Sequence, residues 1–154
     1  MPALINEGYT FVIMPLISLI EDQNYQLGLR NIKAFQFTKF NSQNKEKDFF
    51  NNLLQGADPD MKLIYLTPEK MVASKCFIGI LDKLYEEGRI SRFIIDEVHC
   101  VSHWGQDFRK DYRELSILRM RYPKVPITAL TATATVAVKY DIIKHLDLKD
   151  VVFF

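Results

Sequence analysis

The sequence predicts an α/β fold, a mainly parallel sheet with helices on both faces. Short runs rich in β-branched and aromatic residues alternate along the chain with longer segments of helical period. Cap and stop residues fall at the boundaries, where helix ends need them. The chain has 154 residues. That is enough for one domain burying roughly 70% of its unfolded surface. No repeat, low-complexity tract or linker divides it, so residues 1–154 read as a single domain.

Thr10 to Met14 is the first candidate strand, fully apolar after its threonine. Past Pro15, Leu16 to Leu29 reads as a helix, with Leu16, Leu19, Ile20 and Leu27 toward one side. Ala34 to Thr38 is a second strand. Ser42 has the character of an N-cap for a helix carrying Phe49, Phe50, Leu53 and Leu54, and Gly56 ends it. Lys62 to Leu66 is a third strand, and Pro68 opens a helix at its favoured first position. The helical pattern continues from Phe77 to Tyr85, with Ile80, Leu81 and Leu84 inward and Gly88 as the stop. Arg92 to Ile95 is a fourth strand, Tyr112 to Tyr122 a helix ended by Pro123, and Ile127 to Leu130 a fifth strand. Val136 to Leu146 is the last helix, and Val151 to Phe154 is expected to begin another strand. A chain that starts almost on one strand and stops within another is expected to be a piece of a longer one.

Composition excludes several classes. Net charge is +1, so nucleic-acid binding would need a local patch rather than a global field. The two cysteines, Cys76 and Cys100, form no C-x-x-C pair, which argues against a zinc ribbon or a disulfide framework. The longest apolar run, Phe11 to Ile20, is interrupted by Pro15 and Ser18 and is too short to span a bilayer. No basic region precedes it. The expectation is a soluble intracellular protein without a membrane partner.

In open parallel sheets, ligands sit beyond the carboxyl ends of the strands. Asp96 and Glu97 follow the apolar run Phe93-Ile94-Ile95 there. This is the Walker B arrangement: the first acid holds Mg²⁺, usually through water, and the second orients or deprotonates an attacking water. Taken alone, two acids at a strand exit could equally be a solvated pair. The run Asp96-Glu97-Val98-His99 is more specific.

Residues Asp96 to Arg109, reading DEVHCVSHWGQDFR, resemble motif II plus the aromatic-rich loop of RecQ-family DNA helicases. Pro15 to Gln23, PLISLIEDQ, is similar to that family's motif Ia. Thr67-Pro68-Glu69-Lys70 resembles motif Ib, and Leu130 to Thr135, LTATAT, resembles motif III. The motif order matches, and the resemblance covers essentially the whole chain. Lys62 to Lys70 and the run into Cys100 look most like the short eukaryotic RecQ helicases.

The resemblance implies a RecA-like P-loop NTPase lobe, without its first strand and phosphate loop, running from just after motif I through motif III. It implies ATP and Mg²⁺ as ligands, with Asp96 as the metal residue and Asp96 and Glu97 as the catalytic pair. His99 with Thr131, Ala132 and Thr133 would sense the γ-phosphate. Pro15, Ser18, Thr67 and Pro68 would lie along single-stranded or forked DNA, with hydroxyls and amides on phosphates that position the strand without reading it. Trp104 and Phe108 would stack on bases and Arg109 would contact a phosphate or a base plane. Ser102, His103, Gly105, Gln106 and Asp107 would complete the loop that couples DNA to ATP. The activity implied is a 3′–5′ DNA helicase of DNA repair and recombination, nuclear in a eukaryote. Bland readings stand beside these. Ser18 could simply start a helix, Thr67 and Thr135 could be N-caps, and Trp104 and Phe108 could be core residues. The family order in the loop is Ser-Gln-Trp-Gly-His-Asp-Phe-Arg, whereas here His103 and Gln106 are exchanged. That exchange leaves their coupling role open.

The 154 residues hold no G-x-x-x-x-G-K-[ST] run; none of the six glycines is followed by lysine. The resemblance places that loop just upstream of Met1, and it implies a second motor lobe that these residues do not include. The chain as it stands is therefore expected neither to hydrolyse ATP nor to unwind DNA. It is also expected to be poorly soluble or partly unfolded, because the family's sheet has a strand more. Two rivals remain: a non-catalytic DNA- or partner-binding product, and a metal hydrolase built on His99, Cys100 and His103, which forms no H-E-x-x-H.

Overall fold

The computed structural model describes residues 2–38, 41–102 and 109–154. A short helix α1 (Pro2–Ile5) leads into β1 (Tyr9–Ile13), α2 (Ile17–Gly28), β2 (Ala34–Phe37), α3 (Gln43–Gln55) and β3 (Leu63–Leu66). Then come α4 (Pro68–Ala73), α5 (Lys75–Glu86), β4 (Ile90–Ile95) and a 3₁₀ turn at Val98–Val101. The chain continues through α6 (Lys110–Glu114), α7 (Ser116–Arg121), β5 (Ile127–Ala129) and α8 (Val136–His145). The five strands form one sheet in the order β2-β3-β1-β4-β5, and every pairing is parallel. The predicted class is thus the observed one.

β1 holds the centre because all five of its residues are buried. A strand covered on both faces reads as a continuous apolar run instead of alternating with polar residues. Period-two alternation instead divides its side chains between two cores. Tyr9, Phe11 and Ile13 enter one cluster, with Ile64 and Leu66 of β3 and Phe93 and Ile95 of β4. Val12 and Met14 enter the other, with Leu63 and Tyr65 of β3, and Ile94 packs against it.

The two faces are covered unequally. Helices α3, α5, α7 and α8 send Phe49, Phe50, Phe77, Leu81, Leu118 and Ile142 into the first cluster. Phe77 lies 4.9 Å from Phe37 and 5.9 Å from both Phe11 and Phe50, ring centre to ring centre. The second face receives only Ala3 from α1 and Ile20 and Leu27 from α2 among its fully buried helical residues. Of the four apolar residues expected on one side of α2, Ile20 and Leu27 are buried, whereas Leu16 and Leu19 are 45% and 39% exposed. They sit at the start of α2, where the described residues cover them only in part.

Local signals hold where the chemistry is local. Ser42 caps α3 by accepting from the Lys45 amide, and Gly56 closes it at φ 65°, a left-handed turn that glycine adopts without steric cost. Pro68 stands in the first turn of α4, and Gly88 takes φ 67° after α5.

Three expectations are corrected. The helical stretch from Pro68 to Tyr85 is two helices: Ser74 is extended and its hydroxyl accepts from the Phe77 amide, so it restarts the helix. The stretch Tyr112 to Tyr122 breaks into α6 and α7. The Leu115 and Leu118 amides each bond three residues back, a 3₁₀ tightening that shears the helix at Leu115. The strand expected at Val151 to Phe154 does not form; those residues have no regular structure and are exposed, and no strand among the described residues pairs with them.

Candidate functional site

Because all strands are parallel, their carboxyl ends lie on one edge of the sheet. The strand order places the segments that follow them side by side: Thr67-Pro68 after β3, Pro15 to Ser18 after β1, Asp96-Glu97 after β4, and Thr131 to Thr133 after β5. The sequence order of the four is different, so only the fold reveals this row.

Asp96 is half-buried and held by three bonds. Its amide donates to the Ile13 carbonyl at 2.9 Å, extending the β1–β4 pairing by one residue. One carboxylate oxygen accepts from the Glu97 amide at 2.9 Å. Its carbonyl accepts from the Tyr112 hydroxyl at 2.8 Å. Burial pushes the Tyr112 phenol well above the ordinary tyrosine range, so it stays a protonated donor. Asp96 also borders an open cleft of about 260 Å³ on the thinly covered face, lined by Val12, Met14, Tyr65 and Ile94.

Glu97 takes φ 49° and ψ 40°, the left-handed region. For a residue with a Cβ this is strained by about 1–2 kcal/mol. The strain is carried by the tight exit into the 3₁₀ turn, where the Cys100 amide donates to the Glu97 carbonyl at 3.0 Å. The turn brings the Glu97 carboxylate 3.2 Å from His99 Nδ1. The same nitrogen lies 3.0 Å from Thr131 Oγ1. Only an Nδ1–H can serve both oxygens; the other tautomer would set a lone pair against the carboxylate. Thr131 Oγ1 also accepts from the Thr133 amide at 3.1 Å. Backbone bonds from Val98 to the Leu130 carbonyl at 2.9 Å and from Leu130 to the Ile95 carbonyl at 2.8 Å lock the two segments together. Asp96, Glu97, His99 and Thr131 are therefore one bonded cluster. Ala132 and Thr133 are exposed beside it, and Thr135 caps α8 by accepting from the Val138 amide.

The neighbouring half is built differently. Ser18 is exposed in the first turn of α2, whose N-cap, Leu16, offers no side-chain acceptor. The first amides of that helix are thus without a side-chain cap. Thr67 is buried and accepts from the Lys70 amide at 3.3 Å, which makes it an N-cap. Lys70 pairs with Glu46 at 2.6 Å and lies over the Phe37 ring. Arg109 is half-buried and donates to the Pro15 carbonyl at 3.2 Å, linking the end of the motif II loop to motif Ia. Ser102 is buried and donates to Asp141 on α8 at 2.6 Å. His103, Trp104, Gly105, Gln106, Asp107 and Phe108 lie outside the described residues, and so do the roles expected of them.

Sequence reading missed Tyr112, Asp141, Arg113 and Glu46. Arg113 Nε donates to the Val101 carbonyl at 3.2 Å. None of these lies in a motif; each reaches the site through a contact made by tertiary packing. No group of three metal-ligating side chains occurs among the described residues, and Cys100 is buried. A single carboxylate at a strand end is nevertheless the donor set that suits Mg²⁺, which keeps its waters and takes further oxygens from a phosphate chain. No helix among the described residues is long and apolar enough to cross a membrane.

A family profile described as DEAD/DEAH box helicase matches residues 2–141. The chain is 46% identical over 154 residues to the ATP-dependent DNA helicase Q-like 2 of Arabidopsis thaliana, covering 100% of the chain and 22% of that protein. It is 41% identical over 157 residues to the ATP-dependent helicase SGS1 of Saccharomyces cerevisiae, covering 99% of the chain and 11% of that protein. It is 44% identical over 148 residues to the RecQ-like DNA helicase BLM of Xenopus laevis, covering 96% and 11%. The chain thus spans between a tenth and a quarter of the length of these curated relatives. Among solved structures, the Pyrococcus furiosus Hef helicase domain aligns with a TM-score of 0.58 at 17% identity, over 96% of this chain and 29% of that one. The DUF1998 helicase MrfA bound to DNA aligns with a TM-score of 0.62 at 17% identity, over 91% and 18%. These two support the fold alone. The family profile and the curated relatives together carry the assignment: the chain belongs to the DEAD/DEAH box helicase family, on its RecQ-like branch.

Proposed function

We propose that these residues form the magnesium- and DNA-facing part of the first motor lobe of an ATP-dependent DNA helicase that moves 3′ to 5′ along single-stranded DNA. The observation that carries this reading is the single row of strand-end segments, in which the bonded cluster of Asp96, Glu97, His99 and Thr131 adjoins the motif Ia turn. Asp96 would hold Mg²⁺ through water, and the metal would draw charge from the β- and γ-phosphates of ATP. Glu97 orients the attacking water. His99 carries the state of that carboxylate to Thr131, because one ring nitrogen serves both. The DNA strand would run past the first turn of α2 at Ser18 and the Thr67-Pro68 turn, with Trp104 and Phe108 stacking on bases. Arg109 joins the two halves through the Pro15 carbonyl.

The 154 residues contain no phosphate loop, so they bind rather than turn over. The test is fluorescence anisotropy of a labelled oligo-dT with the 154-residue chain across a salt series. Expected is binding that weakens with salt and weakens further in Trp104→Ala and Arg109→Ala. ATP hydrolysis is expected at background and unaltered by Glu97→Gln. A DNA-stimulated hydrolysis rate that Glu97→Gln abolishes would sink the inactive part of the reading; salt-independent or absent DNA binding would sink the rest.

A further inference from the structure

We propose that Asp141, which lies outside every motif, is a positioning residue for this site: it clamps Ser102 and thereby keeps His99 on Thr131. The proposal rests on the functional reading above for what the site does, and on geometry alone for the clamp. Two segments meet here. One runs from Glu97 through the 3₁₀ turn to Ser102; the other runs from Thr131 through the Thr135 cap into α8. They are joined at one end by His99 and Thr131 at 3.0 Å. At the far end they are joined by Ser102 and Asp141 at 2.6 Å.

The second contact is built to be strong. Its length falls in the range of hydroxyl-to-carboxylate bonds, which are roughly twice as strong as neutral ones. Ser102 is fully buried, so water does not compete for this bond. The acceptor stands on α8, an element packed through Val138 and Ile142 into the main core. A helix anchored in that way moves as a unit. The Val98–Leu130 backbone bond and the His99–Thr131 contact hold the segments at one end; the Ser102–Asp141 bond adds an attachment at the other, and attachments at both ends fix their relative orientation. His99 has to stay in register with both Glu97 and Thr131 to connect them, and a turn free to rotate about the Val98–Leu130 backbone bond would lose one of the two. With Asp141 in place, a displacement of the Thr131 to Thr133 turn is delivered through α8 to Ser102 as well as through His99 to Glu97.

The experiment reads the His99 ring directly. The chain has three histidines, so the long-range nitrogen–proton NMR signals of each imidazole can be assigned with a His99→Gln control. Ser102→Ala and Asp141→Ala are each expected to shift the His99 ring nitrogens. The double variant should shift them no further than either alone, and Asp141→Asn, which keeps an oxygen acceptor, should fall between wild type and Asp141→Ala. Tyr140→Ala, an exposed change on α8 beside Asp141 that touches neither contact, should leave the His99 signals in place. An unmoved His99 in both Ser102→Ala and Asp141→Asn overturns the proposal. So do shifts that add in the double variant, a shift in Tyr140→Ala as large as in Asp141→Ala, or a wild-type chain with no dispersed His99 signal. Oligo-dT binding by the wild-type chain, measured alongside, separates the two claims. Coupled His99 shifts without DNA binding uphold the clamp and reject the DNA reading; DNA binding with an unmoved His99 does the reverse.

Discussion

The two faces of the sheet carry the same strands yet are finished differently. One is closed by four long or packed helices and an aromatic cluster around Phe77. The other is closed by α2 and one residue of α1, and it keeps an open cleft that reaches Asp96. The difference teaches where stability and chemistry reside in this chain. The closed face holds the fold, and it supports the site from behind through Tyr112 and α8. The thin face leaves the site accessible, at the cost of apolar surface at Leu16, Leu19 and the cleft.

The largest test of that contrast is a pair of truncations. Phe77→Ala, at 0% exposure and in contact with three other rings, should cost about 3–5 kcal/mol and unfold much of the population at room temperature. Ile20→Ala, equally buried but in the smaller cluster of the thinly covered face, should cost about 2 kcal/mol, because fewer neighbours surround the space it leaves. Urea titrations of both give the comparison, and equal losses would break it.

A smaller effect is expected where the closed face touches the site. Tyr112→Phe keeps the ring in the core and removes one bond to the Asp96 carbonyl, so it should cost about 1 kcal/mol. If Tyr112 only fills space, the melting temperature will not move.

The smallest lies on the outer shell of the closed face. Asp82 is held below the usual carboxylate range, first by the Arg121 guanidinium and also by the Tyr122 hydroxyl. A depressed carboxylate adds stability above its unfolded value, near 3.8, and loses it as pH falls through the lower folded value. The melting-temperature gap between wild type and Asp82→Asn should therefore be present at neutral pH and close below about pH 4. A gap that persists in acid would mean that the substitution acts through packing rather than charge.

Much of this structure is legible in the sequence, and most of the parts that are share a physical trait. Ser42, Gly56, Pro68 and Gly88 act on backbone groups within four residues, so their chemistry is written locally. The strand-end motifs are legible for another reason: each is a short run of neighbouring residues that resembles a RecQ-family helicase motif. The strand order, by contrast, depends on which apolar faces match after crossovers, and period alone does not encode it. Tyr112 and Asp141 were invisible because each meets its partner across 16 and 39 residues of chain. The two broken helices show the opposite failure. Their apolar period is continuous, but Ser74 and Leu115 redirect the backbone without interrupting it. The strand expected at Val151 failed because apolar residues make a strand only where a neighbour offers hydrogen bonds.

The central place of β1 also has a consequence in time. β1 ends at Ile13, but its two partners begin at Leu63 and Ile90. No hairpin can form early, and each pairing must close a long loop before it gains a contact. At about 5–20 residues per second, a ribosome needs roughly 3–11 s after finishing β1 to finish β3 and roughly 4–16 s to finish β4. Until β3 is made, the buried central strand waits without either partner. The yield of folded chain should therefore respond to synthesis rate and to chaperones that hold extended apolar segments, more than to point changes on the finished surface.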